Sequence, residues 1–439
     1  MKRASRISHG QRGAATLVIV MVLFLVMALL AAYANRSLMF EQRISSSYYR
    51  ASMAQEMAEG GMEWTLAMLN GTAINGNCEA VSTGGTRFVD KYLNVSTVDR
   101  ATVAKSSAPL NIAAHCARTE TGLVCSCPAA DARTTQAATA ANGFLVPSVG
   151  IALGTAPAAD PHYGSFQVTS LGCTDSSVDR CASGVAAMSQ KSTAGSVQKA
   201  SVAFIGAVPS SPTAPLTVKG TLTTAGTGGL GLHNTDPSSA GTLVVSGGAA
   251  PALNDDRMDS VPGTPPDQAR IFGDTYLSSL PADALGNTRF FRVFMGMAPS
   301  RYPNHPAARV VTCPTSGGCD TQLVNAVSAG KRMLIVNGPM TISANSTIGS
   351  VAAPVLIVVN GAVTITGAMQ LNGMLVALGN LNWTNTAGGV SQITGMVLVQ
   401  GNMRADGRMD IVYSQSIANE LRNRLGSYAR VSGGWIDTY

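Results

Sequence analysis

The sequence predicts a fold of class α+β and β: a long N-terminal α-helix, an α+β headpiece at its far end, and a C-terminal β-solenoid (β-helix-like) domain. Three observations predict it. Ala14–Ala34 runs for 21 residues without a charge, and the helical pattern then continues without proline to Asn70. The last third repeats itself in short alternating strands at a spacing of 22 to 23 residues. The stretch between them mixes turn-rich sequence with isolated strand-like runs.

The helix comes first. Met1–Gly13 is polar and carries Lys2, Arg3, Arg6 and Arg12, and the uncharged run that follows is long enough, at about 1.5 Å per residue, to cross a bilayer core of roughly 30 Å. The basic cluster ahead of it is expected to stay cytoplasmic. A secretory signal peptide would have a shorter apolar region and an Ala-x-Ala-like site close behind it. Here Leu38, Ile44, Tyr48, Ala51, Ala58, Met62, Leu66 and Leu69 continue at mostly helical spacing, with Glu41, Gln42, Arg43, Glu56, Glu59 and Glu63 largely off the stripe. A helix over 14–70 is about 85 Å long. Its first half suits lipid or a bundle of like helices, and its second half needs a globular domain against it. Gly60-Gly61 is its weak point, a place to bend or to pack closely.

Those residues carry a resemblance. Gly13 followed directly by an uncharged segment resembles the class III leader of type IV prepilins, and RSLMFEQRISSSYYRASMAQEMAEGGME (Arg36 to Glu63) resembles the PilX-type minor pilins. The resemblance implies cleavage by prepilin peptidase between Gly13 and Ala14, methylation of the new terminus, and assembly with other minor and major pilins through the N-terminal helix. It also implies a pilin-like form for the headpiece. The chain departs from the pattern twice: Ala14 stands where Phe or Met is usual, and Val18 stands at the fifth mature position, where most pilins have glutamate. A buried carboxylate in an apolar bundle needs a cation, which the resemblance identifies as the terminal ammonium of an adjoining subunit. A subunit with valine there makes no such pair and suits a position with no subunit above it. The expected localisation is therefore the inner membrane as a prepilin, then the tip of a cell-surface pilus.

From Gly71 to Ala207, strands are expected around Leu123–Cys125, Phe166–Leu171 and Val197–Ile205, laid on the helix stripe. Gln136–Asn142 is Ala-rich, and Pro209, Pro212 and Pro215 form a linker. Beyond it, Leu334–Ile342 aligns with Ile357–Ile365 at a shift of 23, and Leu371–Asn382 with Ile393–Arg404 at a shift of 22. Asn-Gly also favours hairpins, but the near-equal spacing points to a solenoid, with Ala214–Leu222 and Gly241–Gly248 as earlier rungs. The domain expectation is thus a leader over 1–13, the helix over 14–70 with 14–34 transmembrane, the headpiece over 71–207, and the solenoid over 208–412. Residues 251–330, richer in Pro, Asp, Phe and Arg, are expected as an insertion, and 413–439 as a C-terminal tail or cap with a short helix over Ser416–Arg424.

Eight cysteines behind a membrane segment read as disulfides of an oxidising compartment. Cys173 with Cys181 and Cys313 with Cys319 can close small loops. Cys125 and Cys127 are too near each other for an ordinary bridge, so each is expected to pair elsewhere, with Cys78 and Cys116 as partners. The histidines His9, His115, His162, His233 and His305 are scattered singly, and no metal or cofactor pattern is present.

Charged residues make up 12% of the chain and aromatics 5%, and the formal charge of +6 forms no basic stripe, so no nucleic-acid surface is expected. β-Solenoids host polysaccharide lyases and hydrolases, but Leu334–Val399 contains no Asp, Glu, Lys, Arg or His, so no acid–base site is expected in those rungs and the chain reads as no enzyme. Asp255, Asp256 and Asp259 are the one compact acidic cluster of this half, more consistent with a solvated loop than with a calcium site. The uncharged Asn/Thr/Ser exterior of the rungs fits a host-surface, glycan or protein partner. The alternatives are a tip pseudopilin of type II secretion, an anchored adhesin never built into a filament, and a membrane-anchored β-helix carbohydrate-active protein.

Overall fold

A computed structural model describes residues 12–81, 83–105, 112–120, 122–130, 146–154, 164–178, 181, 193–225, 229–281, 289–386 and 388–438. The leader before Arg12 and the Ala-rich Gln136–Asn142 therefore lie outside the described residues. Helix α1 spans Arg12–Leu69 as one element of 58 residues, about 87 Å long. No proline interrupts it. Its exposed and packed parts divide sharply: side chains from Thr16 to Tyr49 are exposed, whereas Ala54, Met57, Ala58, Gly61, Met62, Thr65 and Leu69 are buried at three- and four-residue spacing. The packed face therefore begins near Ala54. Leu38, Ile44, Tyr48 and Ala51, expected to lie against the headpiece, are exposed instead.

The headpiece is a six-stranded antiparallel sheet. Its strands are β1 (Ile112–Thr119), β2 (Gly122–Ser126), β3 (Ser148–Gly154), β4 (Ser165–Cys173), β5 (Gly195–Gly206) and β6 (Gly426–Thr438), in the order β6-β5-β4-β3-β1-β2. The packed end of α1 lies on β3, β4 and β5. Met57, Met62 and Leu69 share one apolar cluster with Val149, Ile151, Phe166, Val168, Ala200, Val202 and Tyr428. Each fully buried apolar side chain of this size contributes about 1.5–3 kcal/mol.

Sequence reading did not foresee β6. Residues 413–439, expected as a tail or cap, form a helix at Gln415–Asn423 and then return to the headpiece, where Gly426–Arg430 and Trp435–Thr438 pair with β5 across a bulge. Everything from Ala207 to Leu425 is thus inserted between two neighbouring strands, and Ala207 N–H donates to Leu425 C=O at 2.8 Å where the two chain segments leave the sheet. Local pattern does not reveal such a pairing, because its partners lie more than two hundred residues apart and Gly433-Gly434 breaks the alternation.

The inserted segment is built from short strands paired in parallel. The repeats appear as register: Leu334 pairs with Ile357 and Met340 with Val363, a shift of 23, and Leu371 pairs with Ile393 and Leu381 with Met403, a shift of 22. Three ladders result. The first runs through Arg270–Ile271, Val244–Ser246, Leu216–Val218, the ends of Gln392–Val399 and Met369–Ala377, then Val355–Asn360, Met333–Asn337 and Ala308–Val311. The second joins Leu222–Thr224, Met403–Ala405, Leu381–Trp383, Val363–Ile365 and Met340–Ile342. The third joins Met258–Ser260, Leu230–Asn234, Met409–Val412, Gln392–Thr394, Gln370–Leu371 and Thr347–Ile348. Alternate side chains of all three meet in one core, where Leu216, Leu232, Ile342, Ile357, Leu375, Trp383 and Ile411 are fully buried.

The order of strands departs from the order of the chain. The first inserted strand, Leu216–Val218, pairs with the end of Gln392–Val399, so early and late segments meet at a seam in the middle of the stack. An amide column crosses that seam: Asn380 Oδ1 accepts from Asn402 N–H, and Asn402 Oδ1 accepts from Thr221 N–H, both at 2.9 Å. Residues 251–330, expected as an insertion, contribute strands of their own at Met258–Ser260, Arg270–Ile271 and Ala308–Val311. Composition misleads there because each strand needs only two to four residues, and its outward positions tolerate charge.

Two helices of the inserted segment, α2 (Arg289–Met295) and α4 (Gln415–Asn423), cover the outer side of the first ladder, where Phe290, Phe291, Ile417 and Leu421 pack on Ile335, Leu356, Met374 and Leu398. Between them in sequence, α3 (Asp320–Ser328) covers one end of the core with Leu323, and the Asp320 carboxylate accepts from Ser343 and Ala344 N–H. One end of the core is thus covered by α3, whereas the C-terminal segment, expected as a tail or cap, covers a side and then leaves.

Candidate assembly stem and presented surface

The exposed part of α1 is the first candidate site. Gly13 and Ala14 lie in its first turn, and Leu17, Val18, Phe24, Leu29 and Leu30 follow, each more than half exposed. The helix is long and apolar enough to cross a membrane. Val18 presents an alkyl group where a carboxylate would demand a cationic partner. Glu41, Gln42 and Arg43 are exposed higher on the stem, and Glu63, near its packed end, accepts from Arg430 of β6 at 2.7 Å.

Stem and sheet approach closely at two glycines. A Cβ on Gly61 would lie 2.4 Å from Val149 Cγ2, and one on Gly172 would lie 1.9 Å from the Ala54 carbonyl oxygen. Gly61 therefore serves close packing, while a Cβ on Gly60 would meet nothing within 4 Å.

The eight cysteines form four disulfides: Cys78–Cys127, Cys116–Cys125, Cys173–Cys181 and Cys313–Cys319. The first ties the loop after α1 to the segment following β2 across 49 residues, and the second joins paired positions of β1 and β2. The fourth closes the turn that leads into α3.

Asp255 and Asp259 of the acidic cluster turn to different partners. Asp255 pairs with Arg270 at 2.6 Å, and Asp259 Oδ2 lies 2.6 Å from His233 Nδ1. On its other side, His233 Nε2 lies 3.2 Å from Asp410 Oδ1, which also accepts from Arg257 at 2.5 Å. His233 and Asp410 stand on neighbouring strands of the third ladder, so this cluster clamps the seam. Sequence reading missed it because His233 and Asp410 are 177 residues apart and become neighbours only through the out-of-order pairing. Among the described residues, no group of three or more His, Cys, Asp or Glu is arranged to hold a metal ion. His115 is buried in β1, and His9 and His162 lie outside the described residues.

His305 is buried beside Tyr302, and its Nδ1 accepts from Ala307 N–H at 3.1 Å. Burial lowers its pKa below the ordinary 6.5, with the Ile205 backbone acting in the opposite direction. Above that value both folded and unfolded chains hold a neutral imidazole. Below it the unfolded chain takes up a proton that the folded chain resists, so stability drops as the pH drops. The expected result is a melting temperature that declines between about pH 6.5 and 5, above the carboxylate range, and declines less in His305→Asn, which keeps an acceptor for Ala307. Equal slopes in thermal melts of the two proteins would refute the assignment.

A long apolar helix whose far end carries an antiparallel sheet defines a subunit with a membrane-length stem. Residues 12–63 match the PilX N-terminal family model, and the resemblance to minor pilins of the type IV pilus holds over that segment. No curated protein matches the chain. Among solved structures, the competence-associated pilin ComZ from Thermus thermophilus is similar at 10% identity, covering 90% of this chain and 96% of its own, with a TM-score of 0.21.

Proposed function

We propose that this chain is a minor pilin that sits in the tip or priming complex of a type IV pilus. It is inserted in the inner membrane as a prepilin, cut between Gly13 and Ala14 by prepilin peptidase, and joined to other pilins through α1. The observation that carries the reading is the single uninterrupted helix, bare and uncharged from Thr16 to Ala34 and packed from Ala54. Val18 supports the tip, because without a carboxylate there is nothing to neutralise an ammonium terminus from a following subunit. Mass spectrometry of the processed protein should find N-methylated Ala14. An intact Met1, or a cut at an Ala-x-Ala-like site downstream, rejects the assignment. For the tip, labelling of assembled pili should be confined to one end in the unmodified protein and become distributed in Val18→Glu; labels along the shaft before substitution would refute tip placement.

The same reading makes the inserted segment the presented part, with its three parallel ladders winding as a β-solenoid and no catalytic role. The outward positions of the second ladder, Thr341, Thr364, Asn382 and Thr223, form an uncharged hydroxyl and amide column broken by Arg404. Such a column fits a glycan or host-surface partner. The alternatives, a type II secretion tip pseudopilin and a membrane-anchored carbohydrate-active protein, are separated by deletion: loss of pili without loss of secretion or glycan turnover supports the pilus assignment.

A further inference from the structure

The joint between headpiece and inserted segment holds a cavity of about 100 Å³, lined among others by Arg87, Lys331, Arg332 and Arg424. Two carboxylates stand near these four cations, and both are engaged by Arg424: Asp90 at 2.5 Å and Glu420 at 2.8 Å. Arg332 donates through Nε to the Pro354 carbonyl, but its Nη2 is buried without a hydrogen-bond partner, 3.7 Å from Glu420 Oε2. At the joint four cations thus face two carboxylates, and the Arg332 Nη2 donor, lacking a hydrogen bond, has only the long 3.7 Å ion pair with Glu420, a carboxylate it shares with Arg424. A buried unpaired donor is costly, and clustered cations raise that cost. Burial works most strongly against protonated Arg332; Glu420 opposes it in part, and the neighbouring Arg87 and Arg424 charges add to it.

We propose that this cavity is an anion site that takes one small doubly charged oxyanion of the phosphate or sulfate class and fastens the headpiece to the inserted segment. Guanidinium groups suit such oxyanions because their forked donors match paired oxygens. The lining comes from the loop after α1, from Arg87, from the start of Met333–Asn337 and from the turn between α4 and β6, so an occupant bridges all four. A free anion is the source the geometry favours. The cavity lies beyond Asn70, about 55 Å along α1 from the end of the uncharged run at Ala34, out of reach of a lipid headgroup around the inserted stem.

The test uses the full chain in neutral detergent. Inorganic phosphate and sulfate, compared with chloride at matched ionic strength, should raise the melting temperature saturably by several degrees. Calorimetric titration with phosphate should show one site per chain. In the double variant Arg87→Gln with Lys331→Gln, which removes one half-buried and one exposed cation and no buried pair, phosphate affinity should fall at least tenfold, and Arg332→Met should abolish binding. The proposal is overturned if phosphate and chloride act alike, if the double variant binds phosphate as the parent does, or if vesicles containing phosphatidic acid saturate the site while inorganic phosphate does not.

Discussion

Ending the chain at Leu425 is expected to unfold the headpiece while leaving the parallel ladders intact. The removed strand β6 supplies Tyr428, which is buried and lies 5.7 Å from Phe166 and 5.3 Å from Phe204 between ring centroids. Asn70, at the end of α1, exchanges two hydrogen bonds with Tyr428, accepting from its N–H at 2.7 Å and donating to its carbonyl at 2.9 Å. Burial of the aromatic ring contributes about 2–3 kcal/mol, and each hydrogen bond about 1 kcal/mol. Loss of the pairing along β5 and of the Arg430–Glu63 ion pair adds to this. The total approaches the whole stability of an ordinary domain, about 5–15 kcal/mol. Limited proteolysis of the truncated membrane form should therefore cut within 146–206 and spare 330–412. A true cap would give the reverse, with the ladders opened and the headpiece protected, and that pattern would show the topology to be wrong.

The parts of this fold that depend on near neighbours were legible in the sequence. A proline-free stretch, uncharged over Ala14–Ala34 and periodic beyond it, makes its own helix whatever packs on it, so Arg12–Leu69 follows from local pattern. The shifts of 22 and 23 residues became pairing registers for the same reason, since a strand that recurs nearby finds its copy with little freedom, whereas the 18-residue step between Val355–Asn360 and Met369–Ala377 was not legible. What stayed hidden depends on distant partners. The return of β6 to β5, the seam between Leu216–Val218 and Gln392–Val399, and the meeting of His233 with Asp410 each join segments between about 175 and 240 residues apart, and no local periodicity encodes such a choice.

The insertion also explains why the headpiece tolerates so large a guest. The two chain segments leave the sheet side by side, joined by the Ala207–Leu425 hydrogen bond, so the inserted body begins and ends at one place and does not have to stretch its host. Arg100 and Asn423 hold the same joint from the headpiece side, with Arg100 Nε donating to Asn423 Oδ1 at 3.1 Å. An inserted segment whose two ends leave the sheet together is positioned by that joint.

Replacing Gly172 with alanine is expected to cost the headpiece at least about 3 kcal/mol, the upper range for overpacking a close contact. The added Cβ would sit 1.9 Å from the Ala54 carbonyl oxygen and 2.7 Å from Ala58 N, both backbone atoms of α1, so no side-chain rotation relieves the clash and helix and sheet must separate. Gly61→Val drives the same contact from the helix side, toward Val149 and Ser170. Gly60→Ala is the control, since a Cβ there meets nothing, and the gain in helix propensity should stabilise by up to about 1 kcal/mol. Denaturant melts of the three variants should therefore order them Gly60→Ala above the parent and the other two well below it. If Gly172→Ala melts with the parent, α1 does not lie on β4 as described, and the packed end of the stem must be sought elsewhere on the sheet.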